Sequence, residues 1–66
     1  MAVARVTTIT ASSTKGFQDA FQEGINRATR TLRNVTGSEI VSQKAKVENG
    51  DVSEYRVTMR VTFILE

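Results

Sequence analysis

Eleven residues near the end of the chain, Tyr55 to Leu65, constrain it more than any other stretch. Tyr55, Val57, Met59, Val61, Phe63 and Leu65 are apolar, and Arg56, Thr58, Arg60, Thr62 and Ile64 alternate with them. Only the last of those interruptions is apolar. Strict period-two alternation puts one face of a strand in a core and the other in a polar setting. A strand this regular belongs at the centre of an antiparallel sheet whose second face is polar. Function is to be sought on that second face.

The apolar face needs a cover, and an earlier stretch supplies one. From Thr14 to about Asn34, Phe17, Ala20, Phe21, Ile25, Ala28 and Leu32 form a stripe at helical spacing. Lys15, Gln18, Asp19, Gln22, Glu23, Asn26, Arg27 and Arg30 lie opposite, with Glu23 four residues before Arg27 in the favourable order for a helical ion pair. Arg27, Arg30 and Arg33 near the helix end complement its dipole, so this row reads as a solvated face before it reads as an anion-binding patch. Ser13 or Ser12 is placed to cap the helix. Gly24 in mid-helix points to close backbone packing, since glycine there costs about 1 kcal/mol against alanine.

Residues 3–10 are rich in Val, Thr and Ile and predict an edge strand, ended by Ala11, Ser12 and Ser13. A loop from Asn34 to Ser38 contains Gly37, and its Asn34-Val35-Thr36 triplet is a chance match to a glycosylation acceptor. A second strand runs from Glu39 to Val47 with Val41, Ala45 and Val47 on one face. Glu48-Asn49-Gly50-Asp51 carries Asn-Gly, the strongest short-range hairpin signal, and a third strand runs from Val52 to Leu65. The whole predicts an α+β chain, β-α-β-β, forming one domain over 1–66. Its three-stranded antiparallel sheet has the order 1-3-2, with one helix on one face. The uncovered face carries Arg56, Thr58, Arg60 and Thr62 with Ile40, Ser42, Lys44 and Lys46. Such a face suits a wet subunit interface or a cavity wall.

A chain of 66 residues buries only about 60% of its unfolded surface, and small scaffolds usually add disulfides, metals or oligomerisation. With no Cys and no His, disulfides, ordinary zinc sites and thiolate chemistry are excluded, which leaves self-association. A calcium site built from oxygen ligands stays open. The net charge of +2 is too mild to signal a nucleic-acid binder, and no aromatic is left on the polar strand face to stack on a base. MAVARVTTITASS reads as a strand rather than a signal peptide, and no stretch approaches the roughly 18 apolar residues of a membrane span. A soluble cytoplasmic protein is the expectation. No GxSxG, P-loop or GxGxxG pattern occurs, so no enzyme activity is expected.

The run SSTKGFQDAFQEGINRATRTLRNVTGSEIV, the hairpin and then EYRVTMRVTFILE together resemble the dodecin family over nearly the whole chain. The shared features are Ser13 followed by aromatic Phe17, the Arg27-Ala28 pair and a TLRN helix end. The strand pattern E-[YF]-x-V-x-[ML]-x-V-x-F is met by Glu54, Tyr55, Val57, Met59, Val61 and Phe63. The resemblance implies a sheet wrapped around its helix and a hollow homododecamer. It also implies non-enzymatic binding and storage of flavins, riboflavin or FMN, in pairs near two-fold axes. By family position, Thr36, Gly37, Ser38 and Arg56 fall at the ligand. Lys44, Lys46, Thr58 and Arg60 on the uncovered face fall at subunit contacts or face the cavity.

Two positions depart from the family pattern. The flavin-stacking Trp of the family is replaced here by Gly37, and the flavin-contacting Gln by Arg56. Stacking on an aromatic is worth about 1–3 kcal/mol per ring in analogous cases, so its loss weakens flavin binding unless something replaces it. Arg56 has two readings. It binds an anion such as a phosphate, by stacking and pairing, or it pairs with Glu39 or another carboxylate and holds the assembly together. A branch of the family without the Trp is described as calcium-binding, which makes a flavin-free, calcium-binding or purely structural shell the alternative function.

Overall fold

The computed structural model describes residues 2–65. Four elements follow one another: β1 (Ala4–Ser13), α1 (Phe17–Thr31), β2 (Val35–Glu48) and β3 (Asp51–Ile64). The sheet order is β1-β3-β2, and β3 lies antiparallel to both neighbours. Asn49 and Gly50 take φ of 54° and 83°, the left-handed conformation that a two-residue hairpin turn requires and that these residues tolerate. The alternation in β3 sorts its two faces as expected. Val57, Met59 and Val61 have no exposure, whereas Arg56 and Arg60 between and beside them are exposed.

α1 covers the buried face through its small residues. Ala20, Gly24 and Ala28 lie one turn apart and are buried, while Phe17, Phe21, Ile25 and Leu32 pack around that line half-exposed. A Cβ on Gly24 would sit 2.5 Å from Met59 Cε and 3.2 Å from Ala11 Cβ. This is the close approach that the mid-helix glycine signalled. Phe17 meets Tyr55 edge to face with ring centroids 5.0 Å apart, closing one end of the core.

Several boundaries differ from the expectation, each because the ladder on β3 outcompetes local preference. Ala11, Ser12 and Ser13 extend β1 instead of ending it, since β3 offers Val57, Arg56 and Tyr55 as partners. The helix starts later and ends earlier than 14–34. Its N-cap is Gly16, with no side-chain hydrogen bond. Ser13 instead accepts from the Lys15 N–H at 2.9 Å and donates to the Asp19 carboxylate at 2.6 Å. The expected loop at 34–38 is mostly strand. Asn34, at φ 59°, makes the reversal, and Val35, Gly37 and Ser38 pair with Phe63, Thr62 and Val61.

β2 also breaks its own alternation. Three register shifts interrupt its ladder with β3, at Val35/Gly37, Ile40/Ser42 and Lys46/Val47. The second leaves Val41 as the extra residue, so that Ile40 sits opposite Met59 whereas Ser42 sits opposite Thr58. Ile40 therefore belongs to the helix side, not to the uncovered face where period two placed it, because a bulge reverses the count. Val41 and Val47, expected in the core, are 46% and 61% exposed.

Val41 is the unpaired residue of that bulge, whereas the exposure of Val47 follows from a mismatch of lengths. Strands of 14 residues reach about 46 Å, and a helix of 15 residues reaches about 22 Å. α1 thus covers β3 between Tyr55 and Phe63, and the turn end of the hairpin extends past it, consistent with extents of 51 × 19 × 13 Å. The radius of gyration of 13.6 Å exceeds the roughly 11 Å of a compact chain this size. The accessible surface of 4921 Å² exceeds the roughly 4,200 Å² expected of a monomer of this mass. The difference is similar to the surface that one partner, about 800 Å², contributes to a standard interface.

Candidate functional site

Residues directly opposite one another across a ladder share a face, so the register assembles the outer face residue by residue. Along β3 it holds Glu54, Arg56, Thr58, Arg60 and Thr62. Ser12, Thr10, Thr8 and Val6 flank them on β1, and Lys46, Lys44, Ser42, Glu39 and Gly37 flank them on β2. None of the described residues covers this face. The Thr10 and Thr58 hydroxyls share a hydrogen bond of 3.0 Å. Arg60 donates to Glu39 at 3.2 Å, and Arg56 donates to Glu54 at 3.3 Å. Both arginine side chains are 52% exposed. Ion pairs this open are screened by solvent and contribute little, so they organise the surface more than they stabilise it.

Of the carboxylates expected for Arg56, Glu39 or another, the chain supplies another. Glu39 belongs to Arg60, its direct cross-strand partner, and Arg56 takes Glu54, two residues away on its own strand. Glu39 is out of reach because Arg56 lies four residues, about 13 Å, further along β3. The Ser12 hydroxyl, and after it the Arg56 guanidinium, hold the Glu54 carboxyl below its ordinary value of 4.5. An open groove of about 430 Å³ lies here, lined by Lys44, Ala45, Lys46, Glu54 and Arg56. Glu54 and Ser12 went unnoticed in the sequence as members of this site. Only the register brings them beside Arg56.

The second group of expected ligand residues lies elsewhere. Thr36 is the extra residue of a bulge, Gly37 faces Thr62, and Ser38 faces Val61. No heavy atom lies within 4 Å of a Cβ built on Gly37, and its φ is not positive. Neither backbone nor space therefore demands glycine there. The Ser38 hydroxyl is buried and has no hydrogen-bond partner among the described residues. Gly37 and Arg56 are six residues apart along β3, about 20 Å. The chain thus gathers Lys44, Lys46 and Arg56 in one place, and Thr36, Gly37 and Ser38 in another. Thr58 and Arg60 lie between, on the outer face. Among the described residues, no three His, Cys, Asp or Glu side chains are grouped so as to hold a metal ion.

Comparison with known proteins converges on one family. The sequence profile described as Dodecin matches residues 3–66. A dodecin from Streptomyces davaonensis is 37% identical and superposes with a TM-score of 0.93, over 98% of this chain and 96% of that one. A dodecin from Streptomyces coelicolor is 29% identical, with a TM-score of 0.94 over 98% and 93% of the two chains. A protein of Mycobacterium tuberculosis described as a calcium dodecin with a novel calcium-binding site shares the fold. Its TM-score is 0.83 at 23% identity, over 97% of this chain and 91% of that one. No curated protein matches.

Proposed function

The chain belongs to the dodecin family, and on that premise we propose that it is a non-enzymatic, homododecameric small-molecule-binding protein whose ligand is a flavin, riboflavin or FMN. One observation carries the reading. The outer face, continuous over three strands and rich in cations and hydroxyls, is left bare by a chain that exposes more surface than a monomer of its mass should. A ligand position divided between Gly37 on β2 and Arg56 on β3, about 20 Å apart along the sheet, is completed only when a second copy brings its own half. Self-association and ligand binding are then one event in this proposal, and the exposed Val41, Val47 and Val52 are surface for neighbouring copies to cover.

Flavin binding here proceeds without the aromatic stack. Arg56 takes that role, its planar guanidinium able to lie against a ring system while donating to an anion. A fluorescence titration of riboflavin and FMN with the assembled protein, run beside light scattering, tests the proposal. Quenching near one flavin per chain in a particle of twelve chains is the expected result. No quenching in an intact assembly removes the flavin and moves the case to a calcium-binding or purely structural shell. A folded monomer at all concentrations removes the assembly as well.

A further inference from the structure

The cover that α1 lays over the sheet is uneven from one side to the other. On β3, Val57, Met59 and Val61 are fully buried. Their direct partners on β1, Ala11, Ile9 and Thr7, share that face of the sheet, yet they are only half buried. The helix itself shows why. At about 3.6 residues per turn, Phe21 and Ile25 fall on one flank of the buried Ala20, Gly24 and Ala28 line, and Arg27 and Thr31 fall on the other. The flank over β1 is thus left without a large apolar side chain.

A groove of about 490 Å³ results between β1 and the second half of α1. Ile9, Ala11, Ala28 and Leu32 give it an apolar lining, and from Gly24 to Leu32 it runs about 12 Å along the helix axis. Two polar groups on the lining are unspent. The Thr7 hydroxyl makes no hydrogen bond among the described residues. The Arg27 guanidinium makes no hydrogen bond or ion pair among them either, not even with Glu23 one turn before it. An apolar trough with a few convergent polar groups is the composition of a small-molecule site.

We propose that this groove binds a small amphipathic carboxylate, an acid whose apolar body is of medium-chain length. The body lies along Ile9, Ala11 and Ala28, and the carboxylate takes the Arg27 guanidinium, which can donate to it through two parallel bonds. One cation matches the single charge of a carboxylate, whereas a phosphomonoester, at about −1.5 to −2, would leave charge unmet. The groove lies on the helix side of the sheet, opposite the face that carries Arg56. The inference therefore goes beyond the flavin reading and does not rest on it.

The test is calorimetric titration of the assembled protein with decanoate and with decanol, its uncharged analogue, beside light scattering of the same samples. Arg27→Gln removes the guanidinium, and Thr31→Phe fills the groove from an exposed position on its lining. Arg30→Gln controls for the loss of one charge, since Arg30 is exposed and lies outside the groove. The wild type and Arg30→Gln should bind decanoate alike, and more tightly than decanol. Arg27→Gln should weaken decanoate about tenfold or more and leave decanol unchanged, and Thr31→Phe should remove both. No decanoate binding by the wild type, or equal affinity in all four proteins, overturns the inference. Absence of decanoate binding together with a Thr31→Phe particle of altered mass overturns it too, and assigns the groove to a second copy of the chain. Riboflavin titrations separate the two readings. Decanoate bound as expected without flavin quenching upholds the groove and removes the flavin, and riboflavin that displaces decanoate overturns the groove as a site of its own.

Discussion

The two faces of β3 belong to one strand, yet they are finished to different degrees. On the helix side, Val57, Met59 and Val61 have no exposure, and the chain itself supplies every neighbour they need. On the other side, Arg56 and Arg60 are half exposed, each with one carboxylate contact among the described residues, and Lys44 opposes Arg56 with no ion pair among them. The inner face is settled by folding alone. The outer face is left for something outside the chain, so residues that look dispensable for folding are those on which function is to be sought.

Truncating the inner face tests that contrast most severely. Met59→Ala removes a fully buried side chain and should destabilise the protein by about 2–5 kcal/mol. That is a large share of what a domain of this size has. Thr58→Ala, one residue along and on the outer face, should stay within about 0.5 kcal/mol. Urea unfolding of the two variants at equal chain concentration makes the comparison. Equal losses would mean that assembly has made the outer face as much a core as the inner one.

Gly24→Ala probes how tightly that inner face is closed. The new methyl gains about 1 kcal/mol of helix propensity, but overpacking a filled site costs about 1–3 kcal/mol. Met59 Cε, at 2.5 Å, is the far end of a flexible side chain, but the sulfur at 3.1 Å and Ala11 Cβ at 3.2 Å leave it little room. A net loss of about 1 kcal/mol is expected. Combined with Met59→Ala, the added methyl occupies part of the vacated space, so the double variant should lose less than the sum of the two. Additive losses would show that helix and sheet do not touch where Gly24 places them.

The difference between the faces also explains what the sequence made legible. Burial is read by period, and period two in β3 and the helical stripe of α1 located the core, the strand order and the close approach at Gly24. Register is not read by period. Ser53, Val41 and Thr36 each add one residue to one side of the hairpin, and nothing in their own chemistry marks them as extra. Alternation within β2 placed Lys44 and Lys46 on the outer face, where they lie, but it could not say which β3 residues they oppose past the first bulge. Past the second, alternation assigns Ile40 wrongly. The family positions of Gly37 and Arg56 were readable, but their separation of about 20 Å was not, since it depends on a ladder that begins at Val35 rather than Glu39. The Glu39–Arg60 and Glu54–Arg56 pairings depend on the same hidden count.

Acid provides the finest measure of the outer face, because the Glu54 carboxyl there is held below its ordinary value. The Ser12 hydroxyl and then the Arg56 guanidinium favour its ionised form in the folded state only. Above the ordinary value of 4.5, Glu54 is ionised whether the chain is folded or not, and its contribution to stability is fully present. As pH falls below that value, the unfolded chain takes up the proton first. The contribution then fades and is gone once pH has passed through the lower, folded value. Glu54→Gln lacks this dependence, so the gap in urea midpoint between wild type and variant should be positive at pH 7 and shrink as acid is added. A gap indifferent to acid would mean that Ser12 and Arg56 do not hold the Glu54 carboxylate, and that the outer face is ordered by neighbouring copies rather than by charge.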